Sequence, residues 1–345
     1  MTPRSGCLKK AAKRVLKPFG SKVMLLTERL RDPVYINGDR IFGVEDTHGI
    51  GRTAMMKVTF GEGDTNTFIR FGKGSWVGER VEIEAVAPGA IVVGNAATLQ
   101  NDCIVRGNVI IGAHCIFARG CLVISTIHHF RDIPEWLIRD QDDEFAKAKQ
   151  ADPSAAVVIE EDCWFGACAA VMPSVYIGRG AIIGANTVVT SDIGPYEIHG
   201  GVPNRRIGTR LDFVPPRNIH GLSDKMIPYF YRGFYLKQKE LQESRSYGVI
   251  AASRAVSIVL SGPASAAIIK GRIFNSRPLQ LRARFLGHSW EDQIIDSDEF
   301  ELKIARVGCE PDIKPSVLSE FTVIQIEARV DGDIPAYGIS YAEVL

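Results

Sequence analysis

No Cys-x-x-Cys pair occurs in this chain of 345 residues, although it holds seven cysteines. An odd count without that motif argues against a disulfide framework or a structural zinc site and points to a reducing compartment. Net charge is nearly absent too: 41 basic residues against 40 acidic ones leave +1, which excludes a general nucleic-acid binder. Long apolar runs are missing. The uncharged stretch Ala255–Ile269 is short and broken by Ser, Gly and Pro, so no membrane-spanning helix is expected. Acid is missing from residues 1–22, which carry seven Lys or Arg, with Leu8, Ala12, Val15, Leu16 and Phe19 on one helical face. That pattern predicts a basic helix, either resting on an anionic membrane surface or serving as a solvated or subunit-packed leader. It lacks the apolar core of a secretory signal, so a cytoplasmic protein is expected, at most held against the inner face of the membrane.

What the chain does have is a period of six. An aliphatic or aromatic residue stands at Val93, Leu99, Val105, Ile111, Phe117 and Val123, and again at Ile159, Phe165, Val171, Ile177, Ile183 and Val189. Four residues after most of them comes a small or medium one: Ala97, Cys103, Val109, Cys115, Cys121, then Cys163, Ala169, Val175, Ala181 and Thr187. Six fits neither the helical 3.6 nor plain strand alternation. It fits a triangular coil with one short strand per hexapeptide and three hexapeptides per turn, stacked at roughly 4.8 Å. Leading residues fill the prism, Cys103 and Cys121 stack inside adjacent turns as buried thiols, and glycines after leading residues (Gly112, Gly166, Gly178, Gly184) are expected to supply positive φ at the corners. Phe71, Val77 and Ile83 extend the series upstream, with an inserted corner around Pro88–Gly89.

Three domains follow. Residues 1–68 read as the basic leader helix and lead-in strands. Residues 69–214 read as the coil, with an inserted loop at 126–156. Residues 215–345 read as a helical linker, with helix over 222–247, and a β-sandwich-like unit built from strands near 257–260, 268–274, 279–285, 300–305, 321–329 and 336–344.

The coil is broken after Ser125, and a long excursion inside a compact repeat is usually functional. It opens on Ile127-His128-His129-Phe130, so His128 projects at a corner rather than into the core. Neutral imidazole suits the removal of a hydroxyl proton near pH 7. Attack of that hydroxyl on a thioester needs no metal and no protein nucleophile. His129 is the rival base; His48, His114, His199, His220 and His288 are less suggestive.

The stretches Asp162–Ala167, Val171–Gly178, Ile183–Asp192 and Gly200–Arg205 resemble the left-handed β-helix hexapeptide acyltransferases, most of all the maltose, galactoside and xenobiotic O-acetyltransferase group. The resemblance covers about 69–210. It implies a mainly β chain built as a left-handed parallel β-helix and assembled as a homotrimer with three clefts between neighbouring coils; the C-terminal β-sandwich-like domain is not part of the family's minimal enzyme. It also implies acetyl-CoA as donor, no metal, and His128 as general base. Coenzyme contacts carry over to Ala167, Ala185, Thr190 and Arg205, the last suited to phosphate. Arg206 is adjacent without matching the motif. Ser191 replaces the family's common Lys, and Gly208 stands where a second basic residue is expected, with Arg210 as a substitute. Trp164 either borders the acyl pocket or packs. In the excursion Trp136 is the candidate for stacking on a sugar, with Asp140, Asp142 and Asp143 bonding its hydroxyls.

The expected activity is O-acetylation of a saccharide hydroxyl, in a bacterial surface polysaccharide or its precursor. N-acylation of an amino sugar, or a non-catalytic trimeric glycan-binding scaffold, are the alternatives. The zinc carbonic anhydrases that share this prism need a His-x4-His pair, which is absent here.

Overall fold

The computed structural model describes residues 23–24, 35–37, 40–60, 64–147, 156–274, 278–306, 316–329 and 336–345. The helix and membrane contact expected at 1–22 fall outside that set. The chain divides into two compact units, Met1–Arg210 and Leu211–Leu345.

Three parallel sheets build the first unit. One face runs through Ile41–Phe42, Ile69–Phe71, Ile91–Val93, Val109–Ile111, Val157–Ile159 and Tyr176–Ile177. A second runs through Gly49–Ile50, Trp76–Val77, Thr98–Leu99, Ile116–Phe117, Trp164–Phe165, Ile182–Ile183 and Glu197–Gly200. A third takes Met55–Thr59, Glu82–Val86, Ile104–Gly107, Leu122–Ile124, Ala170–Val171 and Val188–Val189. The chain visits the faces in that order, once per turn, which is the arrangement of a left-handed parallel β-helix.

Register follows the repeat. Leu99 lies beside Phe117, Phe117 beside Phe165 and Phe165 beside Ile183. The Phe117 and Phe165 rings stack at 4.2 Å between centroids. All the leading residues from Val93 to Val189 are buried, and so are the small ones from Ala97 to Thr187. Cysteine has a specific use at those small positions. The Cys103, Cys115, Cys121 and Cys163 thiols donate to the carbonyls of Ala118, Glu160, Gly166 and Gly178 at 3.0–3.3 Å. Each buried thiol thereby has an acceptor at a corner, two of which, the Gly166 and Gly178 carbonyls, also accept the Ala169 and Ala181 N–H.

The coil begins earlier than the sequence indicates. Ile41–Phe42, Gly49–Ile50 and Met55–Thr59 form a full turn beneath Ile69–Phe71, Trp76–Val77 and Glu82–Val86, so the segment expected as lead-in strands is partly prism. The six-residue step there survives only at Val44, Ile50 and Met56 before the insertion at Phe60–Thr67 destroys it.

The glycines also act differently. Positive φ is taken three residues after the leading position, at Gly74, Arg80, Ala96, Asp102, His114, Gly120, Asp162, Cys168, Ser174, Gly180 and Asn186. The glycines directly after leading residues, Gly184 excepted, are needed for closeness instead. A Cβ at Gly112, Gly166 or Gly178 would lie 2.5–2.6 Å from backbone atoms of the next turn. Gly166→Ala is therefore expected to cost about 1–3 kcal/mol, as overpacking of a tight interior does. The midpoint of urea unfolding measures it.

At its end the prism is closed by Arg205–Thr209, which doubles back antiparallel on Glu197–Gly200. In the second unit the segment expected as one helix over 222–247 is broken into a 3-10 turn (Asp224–Tyr229), a strand (Arg232–Phe234) and a helix (Gln238–Ser246). Pro228 lies within the first piece, and Gly233 turns at φ 78. Phe230 and Tyr231 are buried as core. The antiparallel β unit follows, its described residues forming nine strands in one hydrogen-bonded sheet, including Ile250–Ser261, Ala266–Ile273, Leu279–Phe285, Glu299–Ala305, Phe321–Ala328 and Tyr337–Val344. Glu291, on the edge strand Glu291–Ile295, accepts the Ala305 N–H at 2.9 Å, linking the two ends of the sheet. No helix among the described residues is long and apolar enough to cross a membrane.

Candidate active site

The excursion leaves the prism after the third-face strand Leu122–Ile124 and rejoins it at Val157. Between them lies one described helix, α1 (Ile138–Lys147). Little apolar burial holds it. Ile127, Phe130, Trp136, Leu137 and Ile138 are all exposed. Polar pins do the holding: the buried Gln141 side chain accepts the Ile133 N–H at 3.1 Å and donates to the Trp136 carbonyl at 3.2 Å.

The principal pin is Asp142 of α1. One of its oxygens accepts the His129 N–H at 2.8 Å, and the other lies 2.6 Å from His128 Nδ1. Donation from the His129 amide and then from His128 holds this carboxyl below its usual range. An ionised carboxylate only accepts, so Nδ1 of His128 carries a proton and Nε2 of the neutral ring keeps its lone pair. The ring is 79% exposed, with Nε2 available to an incoming hydroxyl. His129 is engaged differently: its ring stacks on Phe145 at 4.5 Å and its Nδ1 meets Asp132 at 3.1 Å. Asp142 was expected to bond a sugar, and here it is taken up by the two histidines; Asp140 and Asp143 stay exposed.

The remaining candidates lie elsewhere on the prism. Backbone bonds from Asp102 to Glu79, Gly120 to Asn101, Cys168 to Arg119 and Asn186 to Ala167 define one corner column between the second and third faces. Its early turns are charged, with Asp102 paired to Arg80 at 2.6 Å and to Arg119 at 3.4 Å. Its later turns carry Ala167 and Ala185, a smooth strip along the edge. Past them, Arg205 starts the closing strand opposite Gly200. Arg205 is exposed and makes no side-chain hydrogen bond or ion pair among the described residues.

Thr190 is reached through the same turn, since Asn204 Oδ1 accepts its N–H at 2.9 Å. Arg206 pairs with Glu197 at 3.3 Å. Arg210, the substitute cation, is occupied: it bonds the Asp162 carboxylate at 3.0 Å and the Gly180 carbonyl at 3.0 Å, so it holds corners together. Trp164 lies on the outer second face between Ile116 and Ile182 at 52% exposure, outside the core.

Within one chain, Ala167 and Ala185 share a corner with Arg205 past its end, whereas Thr190 follows the third-face strand Val188–Val189 and is tied to the Arg205 turn through Asn204. His128 leaves from the next corner, between the third and first faces, and a whole sheet separates the two. Among the described residues no three of His, Cys, Asp and Glu gather as a metal site requires. The sequence singled out His128 but missed its partner Asp142, fourteen residues on, and also the buried His199 and Asn204.

Residues 156–191 match the bacterial transferase hexapeptide family (six repeats). Among similar curated proteins, a chloramphenicol acetyltransferase of Agrobacterium fabrum is 43% identical over 60 residues, 17% of this chain and 29% of that protein. Another, of Escherichia coli, is 33% identical over 109 residues, 30% of this chain and 52% of that protein. The chain therefore spans at most about half the length of these relatives. A maltose O-acetyltransferase of Clostridium difficile 630 is 19% identical, over 49% of this chain and 72% of that one, with a TM-score of 0.29.

Proposed function

We propose that the chain is an acetyl-CoA-dependent O-acetyltransferase of the maltose, galactoside and xenobiotic type, acting on a saccharide hydroxyl. The observation that carries this reading is the exposed His128 imidazole, oriented by Asp142 where the repeat breaks, on a prism whose neighbouring corner offers a smooth strip ending at a free guanidinium. The names of the curated relatives support the acetyl group. A polysaccharide or its precursor is the favoured acceptor.

Acetyl-CoA supplies the activated acyl thioester. The residues fit such a molecule: Ala167 and Ala185 leave the edge open where larger side chains would fill it, and Arg205 can meet phosphate. His128 Nε2 takes the acceptor hydroxyl proton as that oxygen attacks the thioester carbonyl carbon. The carbon–sulfur bond then breaks, and the imidazolium returns the proton to the departing sulfur. A backbone N–H at a corner meets the developing oxyanion. Since one chain keeps His128 and the Ala167–Ala185 corner apart, the reaction calls for two chains side by side in a homotrimer. Trp76, Ile116 and Trp164, exposed on the second face, supply apolar surface for that contact.

The test is thiol release from acetyl-CoA against a panel of neutral saccharides, amino sugars and chloramphenicol. Release with a neutral saccharide upholds the reading. Release with amino sugars alone converts it to N-acylation, and release with none of the panel contradicts it.

A further inference from the structure

Beyond the site just described, the closed end of the prism buries a polar chain that the proposed chemistry does not use. His199 and Asn204 are only 7% and 8% exposed. His199 lies beside Ile183 in the second face, so an imidazole takes the inward place of an aliphatic residue one turn below. Such a group is costly to bury unless its polar atoms are paired.

Its bonds run in one direction. The Thr190 N–H can only donate, and it meets Asn204 Oδ1 at 2.9 Å, so the amide oxygen faces Thr190. The Thr190 and Ser191 hydroxyls converge on the same oxygen at 3.5 and 3.3 Å. Asn204 Nδ2 therefore faces His199 Nδ1, at 3.0 Å, and an amide nitrogen only donates. His199 Nδ1 must accept, its proton sits on Nε2, and that proton goes to Glu197 at 2.9 Å. Glu197 also accepts the Gly194 N–H at 2.9 Å and pairs with Arg206. Turning the Asn204 amide over would set donor against donor at Thr190 and acceptor against acceptor at His199. Only one arrangement satisfies every atom.

We infer that Asn204, held in orientation by His199 and Glu197, is a positioning residue that fixes Thr190–Ser191 and Arg205 to receive the phosphate-bearing part of the coenzyme thioester. This rests on the acetyl-CoA reading above. One amide ties the segment after Val188–Val189 to the turn that presents Arg205. His128 leaves the third face two turns earlier, about 10 Å along the axis at the usual strand spacing. The relay therefore acts on donor affinity, not on proton transfer.

The experiment compares acetyl-CoA with acetyl-pantetheine, a thioester without the nucleotide phosphates. Asn204→Ala is expected to raise KM for acetyl-CoA about tenfold, the effect of losing roughly one net hydrogen bond, with kcat and the acetyl-pantetheine KM unchanged. His199→Leu behaves alike. His199→Gln, whose side chain can accept from Asn204 and donate to Glu197, restores the wild-type KM. Equal losses with both donors, or no change with either, overturn the inference. A wild-type chain that neither binds CoA nor uses acetyl-CoA removes the acetyl-CoA reading itself, and the inference with it.

Discussion

Replacing His128 by alanine is expected to lower turnover by about 10²–10⁴-fold, the usual contribution of a positioned general base, with little change in stability. Its ring is 79% exposed, so its loss opens no cavity. KM for the thioester should hold, because the corner proposed to receive the coenzyme is built from other residues, Ala167, Ala185 and Arg205. His129→Ala should differ in kind. That ring stacks on Phe145 and meets Asp132, so its removal loosens the excursion and affects acceptor binding more than kcat. Steady-state kinetics with both variants, beside thermal unfolding, separates the two roles. Unchanged kcat in His128→Ala would remove the assigned base.

Asp142→Asn should lower kcat by about 10²-fold, the scale set by misplacing a reacting group by an ångström. The carboxylate fixes the His128 tautomer through Nδ1 and, with its other oxygen, anchors the chain at the His129 N–H. An amide in its place can still accept one of these bonds. It also turns an NH2 toward a partner that needs an acceptor, which favours the wrong tautomer of His128. Asp142→Glu, one methylene longer, should lose less. The pH response has a definite sign. The carboxyl is held below its usual range, so the link to α1 is fully present above that range and is lost only as pH falls to the carboxyl's own lowered value. Amide protection in Ile138–Phe145, taken as the exchange rate relative to the free-peptide rate at each pH, reads this, with weaker protection expected at pH 3 than at pH 6.

How far these features could be read from residues alone depends on how local their causes are. Val93 to Val189 announce the prism because each leading side chain solves the same burial problem six residues after the last. The turn at 41–59 hides because Phe60–Thr67 breaks the step, and what places Ile50 under Val77 is pairing between strands rather than spacing. His128 is legible as the residue at the break. Asp142 is not, since its meeting with His128 depends on how α1 returns across the excursion. His199 occupies an inward site sixteen residues after Ile183, not eighteen, so it falls out of the period. The corner glycines mislead for a physical reason: glycine serves close approach as well as positive φ, and only the distance from Gly166 to Ala185 separates the two.

The proposal of a site shared between neighbouring chains is tested most directly by mixing two inactive chains. Ala185→Tyr fills the smooth corner, and His128→Ala removes the base. Co-expressed and allowed to assort at random around a three-fold ring, they should recover about one quarter of wild-type activity, because one interface in four joins an intact imidazole to an open corner. A mixture as inactive as either variant alone would contradict a site built between neighbouring chains.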